Sequence, residues 1–288
     1  MKLKPLYLLL MSATTALTLP GCAITAPNST AAAWVPPAPE MVSRYRLTID
    51  SDEGGRPRSL QAVFDVKALA GSGYSISLVS SGRVEEDGRL SNIDIAKDCL
   101  PPAGQTFNFA AREDIFAAIP ACVPEPVFGA ITDLFSFLQV RDAARNVASL
   151  QAAGDQGEVA GFTVNWSRPP DMLAARVTAR AVKLSTQPLP NGAIGIRWEP
   201  QDMTLDMLRK SPQGGVNLLI RGREDFALGV EIDRASGKLL RGQSVRDKVS
   251  GDIFVPYLKT TLPDVGDATT GNKFPLQIQR QLKLEWVQ

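Results

Sequence analysis

The chain has 288 residues, 44% of them hydrophobic, with 31 Lys and Arg against 30 Asp and Glu. That is enough apolar mass for a large core, which excludes a disordered protein, and the interspersed balanced charge excludes a nucleic-acid footprint. Histidine is absent, which removes Ser-His-Asp and Cys-His nucleophile pairs and HExxH zinc sites; carboxylate pairs, Ser-Lys dyads and Asp/Glu metal sites remain.

The chain opens with Lys2 and Lys4, then an apolar run from Leu6 to Leu19 interrupted only by Ser and Thr, then Leu19-Pro20-Gly21-Cys22. A basic start, a short apolar stretch and a small residue before a break point are the layout of a secretory signal peptide. The run is shorter than the ~20 residues of a bilayer span. Leu19-Pro20-Gly21-Cys22 resembles the lipobox of bacterial lipoproteins. The resemblance implies cleavage before Cys22, a diacylglycerol thioether on its sulfur and acylation of the new amino terminus. Three acyl chains would make a stable anchor where one is marginal. Ala23, where the family's retention signal has Asp, implies the outer membrane, with the body facing the periplasm of a Gram-negative cell. An ordinary signal peptide that leaves Cys22 as a free thiol is the alternative. Residues 1–21 are thus expected to be the leader, and without Lys2 and Lys4 the mature chain carries 29 basic against 30 acidic side chains.

Residues 22–41 read as an acylated Cys followed by a Pro/Ala-rich tether. Pro36-Pro37-Ala38-Pro39 closes it and Trp34 is its one aromatic. Extended, it would reach on the order of 60 Å at ~3.3 Å per residue.

From Val42 onward, residues 42–288 are expected to form a single antiparallel α+β domain. Tyr45, Leu47 and Ile49 alternate with Arg44, Arg46 and Thr48, the pattern of a half-buried strand. Leu60, Ala62, Phe64 and Val66 give a second strand and Tyr74, Ile76 and Leu78 a third, with Asp87-Gly88 as a hairpin turn after it. Cys99 and Cys122 are the pair left over once Cys22 is acylated. In an oxidising envelope they are expected to form a disulfide; two buried thiols are the alternative. Glu113 to Ile119 reads as a short helix between them.

After Pro124 and Pro126, Val127, Ile131, Leu134 and Leu138 fall at i, i+4, i+7 and i+11 with Phe128 and Phe135 alongside, an apolar stripe on a helix that continues toward Gly154. These six side chains are the candidate lining of a ligand cavity, if the helix is a lid; the plainer reading is a plug over one face of a sheet. The second half is strand after strand: Val159 to Trp166, the alternating Ala175, Val177, Ala179 and Ala181, then Ile194 to Trp198, Leu218 to Arg223, Phe226 to Ile232 and Leu239 to Val245, with Ser236-Gly237 as a hairpin turn. Phe274, Leu276, Ile278, Leu282, Leu284 and Trp286 keep every second position, broken only at Arg280, so the last strand is expected to be central or to close a strongly curved sheet.

The fold expected is α+β, a large curved antiparallel sheet, half-barrel or sandwich-like, with one or two covering helices. In the order of its elements it resembles the periplasmic lipoprotein-carrier and outer-membrane lipoprotein-receptor families, which are half-barrels with an inner helix; no family motif carries over residue by residue. The carboxylate groups Asp50-Asp52-Glu53 and Glu85-Glu86-Asp87 stand at turns, where Asp supplies turn geometry, and no Walker A, GxGxxG or GxSxG motif occurs. No catalytic or metal residue, cofactor or nucleic-acid partner is expected. The reading is a membrane-anchored, non-catalytic lipoprotein that binds an apolar ligand such as an acyl chain. A scaffold of an envelope assembly and a histidine-free enzyme are the alternatives. A cavity beneath the helix would favour the first, a filled core with an exposed apolar patch the second, and buried converging carboxylates the third.

Overall fold

The computed structural model describes residues 38, 41–69, 73–95, 99, 106–110, 119–145, 156–168, 172–190, 192–210, 216–264 and 270–287. The expected leader, Cys22, the expected tether apart from residues 38 and 41, residues 113–118 of the short helix expected between the cysteines and residues 146–153 of the long helix lie outside them. Twelve strands form one sheet: β1 (Val42–Glu53), β2 (Pro57–Ala68), β3 (Gly73–Val84), β4 (Leu90–Asn92), β5 (Thr106–Ala110), β6 (Gln156–Arg168), β7 (Met172–Pro188), β8 (Ile194–Gln201), β9 (Met203–Lys210), β10 (Asn217–Ile232), β11 (Leu239–Tyr257) and β12 (Asn272–Val287). The helix α1 (Glu125–Arg145) lies between β5 and β6 in sequence.

The strand order is β4-β3-β2-β1-β12-β11-β10-β8-β7-β6, with β5 also on β3 and β9 on β10 and β7. Among the described strands β6 and the β4/β5 pair are the two ends. The last strand is central: β12 pairs antiparallel with β1 (Leu47 opposite Leu284) and with β11 (Gly242 opposite Leu284). The sheet is large and curved, with α1 as its one covering helix among the described residues, as expected of an α+β fold. The two runs expected at Leu218 to Arg223 and Phe226 to Ile232 are one strand, β10, because Glu224 and Asp225 stay paired with Val249 and Lys248 through the polar middle.

Alternation decides which face is buried. Tyr45, Leu47 and Ile49 of β1, Ala62, Phe64 and Val66 of β2, and Leu282 and Leu284 of β12 are buried under α1 in one contiguous cluster. A smaller cluster of Leu208, Leu219, Phe254 and Tyr257 lies apart, with Leu262 packed against it. The polar row Arg176–Asp206–Arg221 joins β7, β9 and β10, with ion pairs of 2.6 and 2.8 Å.

The helix departs from the one-stripe expectation. Val127, Phe128, Ile131, Leu134, Phe135 and Leu138 are all buried, but so are Ala130, Phe137, Val140 and the charged Asp133 and Arg141. Of the helix residues with described side chains, Glu125, Pro126, Gly129, Thr132, Ser136, Gln139 and Asp142 keep exposure, and apart from Pro126 they are spaced four and three apart. An apolar circumference of that kind belongs to a helix enclosed by its surroundings rather than laid on a flat face. Its approach to the sheet is close at Gly242, where a Cβ would stand 2.5 Å from Phe137. The start of α1 is tied to the disulfide between Cys99 and Cys122, whose Cα atoms are 5.5 Å apart, and the Pro124 carbonyl accepts hydrogen bonds from the amides of Val127 and Phe128.

Candidate functional site

Inside the sheet, beneath α1, lies a charged group that no apolar core requires. On β10 and β11, Glu224 stands opposite Val249 and Phe226 opposite Asp247; on β12, Ile278 stands opposite Val249. Steps of two therefore bring Glu224, Phe226, Asp247, Val249, Ile278 and Arg280 to one face.

Asp247 reaches that face because of an irregularity. The pairing of β10 with β11 slips between Ala227 opposite Arg246 and Leu228 opposite Ser244, so Val245 has no partner on β10, and the β11 to β12 register shifts over the same stretch. An extra residue exchanges inward and outward positions along the strand. Gly242 is buried on one side of the bulge, and Asp247 and Val249 on the other. The bulge is closed by a hydrogen bond of 2.8 Å from the Leu282 amide to Ser244 Oγ.

Arg280 joins three elements. Its Nε donates to Asp247 Oδ2 at 2.9 Å and its Nη2 to Asp133 Oδ1 of α1 at 2.8 Å. The second oxygens, Asp133 Oδ2 and Asp247 Oδ1, are buried and have no hydrogen-bond partner. Burial raises the Asp247 pKa, although Arg280 opposes the shift. Burial by itself would lower that of Arg280, but Asp133 and Asp247 outweigh it and hold the guanidinium above its ordinary value. Glu224 is pushed up to about 7, first by burial and then by the like charge of Asp247, with Arg280 acting against them and Asp133 adding to them. Three carboxylates thus share one guanidinium, and the third holds a proton near neutral pH.

From this cluster an aromatic row runs toward the β6 end of the sheet. Phe226, cross-strand neighbour of Asp247, meets Trp198 edge-on at 5.8 Å between ring centroids, and Trp198 stacks with Phe162 at 6.2 Å. Phe162, Trp198, Val159 and Leu205 are packed against the core but only partly buried. No protein-family model, curated protein or solved structure matches this chain. Its chemistry is therefore read from its own geometry.

The other polar contacts of α1 fasten it at both ends. Arg209 of β9 pairs with Glu125 at 2.8 Å in the first turn, where a carboxylate also complements the helix dipole. At the far end the buried Arg141 pairs with Asp142 at 3.0 Å, donates to the Tyr74 hydroxyl and stands over its ring at 5.2 Å, while that hydroxyl donates to Asp142. Burial, more than the neighbouring charges, raises the pKa of Tyr74 and of Tyr45 close by.

Away from this cluster, a concavity of about 440 Å³ lies where β1 begins and β12 ends, lined by Val42, Arg44, Asp65, Lys238, Trp286 and Val287. Lys238 sits over the Trp286 ring at 3.3 Å, and Arg44 holds Asp65 at 2.7 Å.

Of the six candidate lining residues, the structure brings all together, as core of the helix. Cys99 and Cys122 are bonded. The cluster of Asp133, Glu224, Asp247 and Arg280 was not among the candidates; its one trace in the sequence is Arg280, the break in the β12 alternation. The turn carboxylates Asp52 and Asp87 bind the nearby amides of Gly55 and Arg89. Among the described residues no group of three or more Cys, Asp or Glu side chains is placed to hold a metal ion, and no helix is long and apolar enough to cross a membrane.

Proposed function

We propose that this chain is a membrane-anchored envelope lipoprotein whose curved sheet is a receptacle for an apolar chain, with α1 as its inner wall. The observation that carries this reading is the incompletely covered strip of Phe162, Trp198, Val159 and Leu205 beside the helix, at the end of a sheet whose terminal strands do not pair among the described residues. An aromatic and aliphatic strip left partly open at the rim of a core marks an interaction site, and its length along the helix suits an apolar chain. The six helix residues act here as the packed wall of the receptacle. The anchor follows from the lipobox resemblance at Cys22, and the outer-membrane location from Ala23.

Extraction of the full chain purified from bacterial envelopes, followed by mass spectrometry, tests the reading. It is expected to yield a co-purifying acyl lipid, with Phe162→Asp removing it while the far-UV circular dichroism stays the same. A lipid-free wild-type protein overturns it. The scaffold alternative is favoured by Val216 and Leu258, which flank the cross-strand pair Asn217 and Tyr257 and are 42% and 82% exposed; in that case a partner protein would cover this patch.

A further inference from the structure

We propose that the receptacle takes amphiphiles with a cationic amino head group, the ammonium seated on Asp133, Asp247 and Glu224 and the apolar chain lying along Phe226, Trp198 and Phe162. This rests on the receptacle reading and adds the chemistry of the ligand.

The argument begins with two oxygens. Asp133 and Asp247 are 8% and 4% exposed, each uses one carboxylate oxygen on Arg280, and each has the other, Asp133 Oδ2 and Asp247 Oδ1, buried without a partner. Buried acceptors are satisfied by protein or ordered water in nearly all native structures, so each of these two oxygens calls for a donor. The charge has the same sign: three carboxylates surround one cation, and Glu224 is pushed up to about 7 first by burial and then by the like charge of Asp247. An added cation relieves that repulsion. A primary ammonium has three N–H donors and no acceptor, which matches the two free aspartate oxygens and the Glu224 carboxylate. An anionic head fits poorly, because Arg280 already directs Nε and Nη2 to the aspartates.

The surroundings supply the rest. The Arg280 side chain is 27% exposed and Glu224 is only partly buried, while the Asp247 side chain is fully buried, so the cluster meets solvent at Arg280 and Glu224 and a head group reaches Asp247 from there. Phe226, beside Asp247, starts the aromatic row that continues through Trp198 to Phe162, so a head on the carboxylates places its chain on the partly open strip.

Dodecylamine, dodecanol and dodecanoate share one chain and differ in the head. Each is titrated at pH 7 into the full chain held in amphipol and read by the Trp198 fluorescence, taken as the difference from Trp198→Phe. Dodecylamine is expected to bind at least ~10-fold more tightly than the other two, as charge-assisted hydrogen bonds dictate. Its binding should also release protons near pH 7, as Glu224 ionises beside the ammonium, seen by calorimetry in buffers of different ionisation enthalpy. Asp133→Asn with Glu224→Gln should cut the preference for dodecylamine over dodecanol to within about twofold, as the charge-assisted bonds to the ammonium are lost. Should the double variant misfold, Glu224→Gln alone, isosteric and at a partly exposed position, decides through loss of the proton release. Equal affinities, or a preference for dodecanoate, overturn the amino-head inference and leave the receptacle standing. Failure of all three to bind overturns both.

Discussion

At the scale of single residues, Arg280 and Glu224 set the electrostatics of the interior. Arg280 neutralises Asp133 and Asp247 at once, so Arg280→Met leaves two buried carboxylates without their counter-ion. Breaking one side of a buried pair costs about 3–5 kcal/mol, and urea unfolding of Arg280→Met against wild type should show a loss of that size. Glu224 contributes a pH dependence whose sign follows from its raised pKa, about 7 against 4.5. The folded state binds more protons than the unfolded one between these values. The favourable contribution is therefore complete below pH 4.5 and is lost as pH rises through 7. Asp247, also raised by burial, contributes with the same sign. Asp202, Asp233 and Glu285 are held low by Arg180, Ser236 and Lys283 and act below it. Thermal unfolding of Glu224→Gln followed from pH 5 to 8 should be flatter than that of wild type; parallel curves would refute this account.

At the scale of elements, the helix and the sheet are fitted to each other at particular points. Gly242 lets the Phe137 ring approach β11, and a Cβ there would lie 2.5 Å from Cδ1 of that ring. Gly242→Ala is expected to destabilise by about 1–3 kcal/mol, the usual cost of overpacking a core, and the smaller ring position of Phe137→Leu should recover part of it in a double-mutant cycle. The disulfide acts at the other side of the same fit. It closes a loop with a sequence separation of 23 residues whose end lies three positions before α1. By loop entropy it stabilises by about 3 kcal/mol. Reduction should therefore lower the unfolding free energy obtained from denaturant titration by that amount, and a Cys99→Ser, Cys122→Ser variant should show the same loss without reductant.

At the scale of the whole molecule, the anchor and the body answer separate questions. Cys22→Ser is expected to leave the leader uncleaved by the lipoprotein peptidase or to release a soluble protein; unchanged membrane fractionation and mobility would contradict the lipobox reading. The amino-acid sequence determined the architecture of the body to a large extent. Period-two alternation in β1, β2, β3 and β12, the turn residues between strands and the apolar run after Pro126 are local signals, because a buried face forces its periodicity onto the chain that forms it. The paired cysteines were legible by count, as the even pair left once Cys22 is set aside. The candidate site was not legible. Asp133, Glu224, Asp247 and Arg280 come from four elements, and each by itself reads as a polar position on a surface. Asp247 faces inward only because the bulge at Val245 changes the parity of β11, and which residue is extra depends on the pairing of β11 with β10 and β12. The enclosure of α1 was likewise decided by tertiary structure. A stripe at i, i+4, i+7 and i+11 requires one buried side, whereas the burial of Ala130, Phe137 and Val140 on its flanks depends on how far a sheet of twelve strands curves around it. Local periodicity is written into neighbouring residues, but curvature, register shifts and the meeting of distant charges are properties of the assembled sheet, and those made the site.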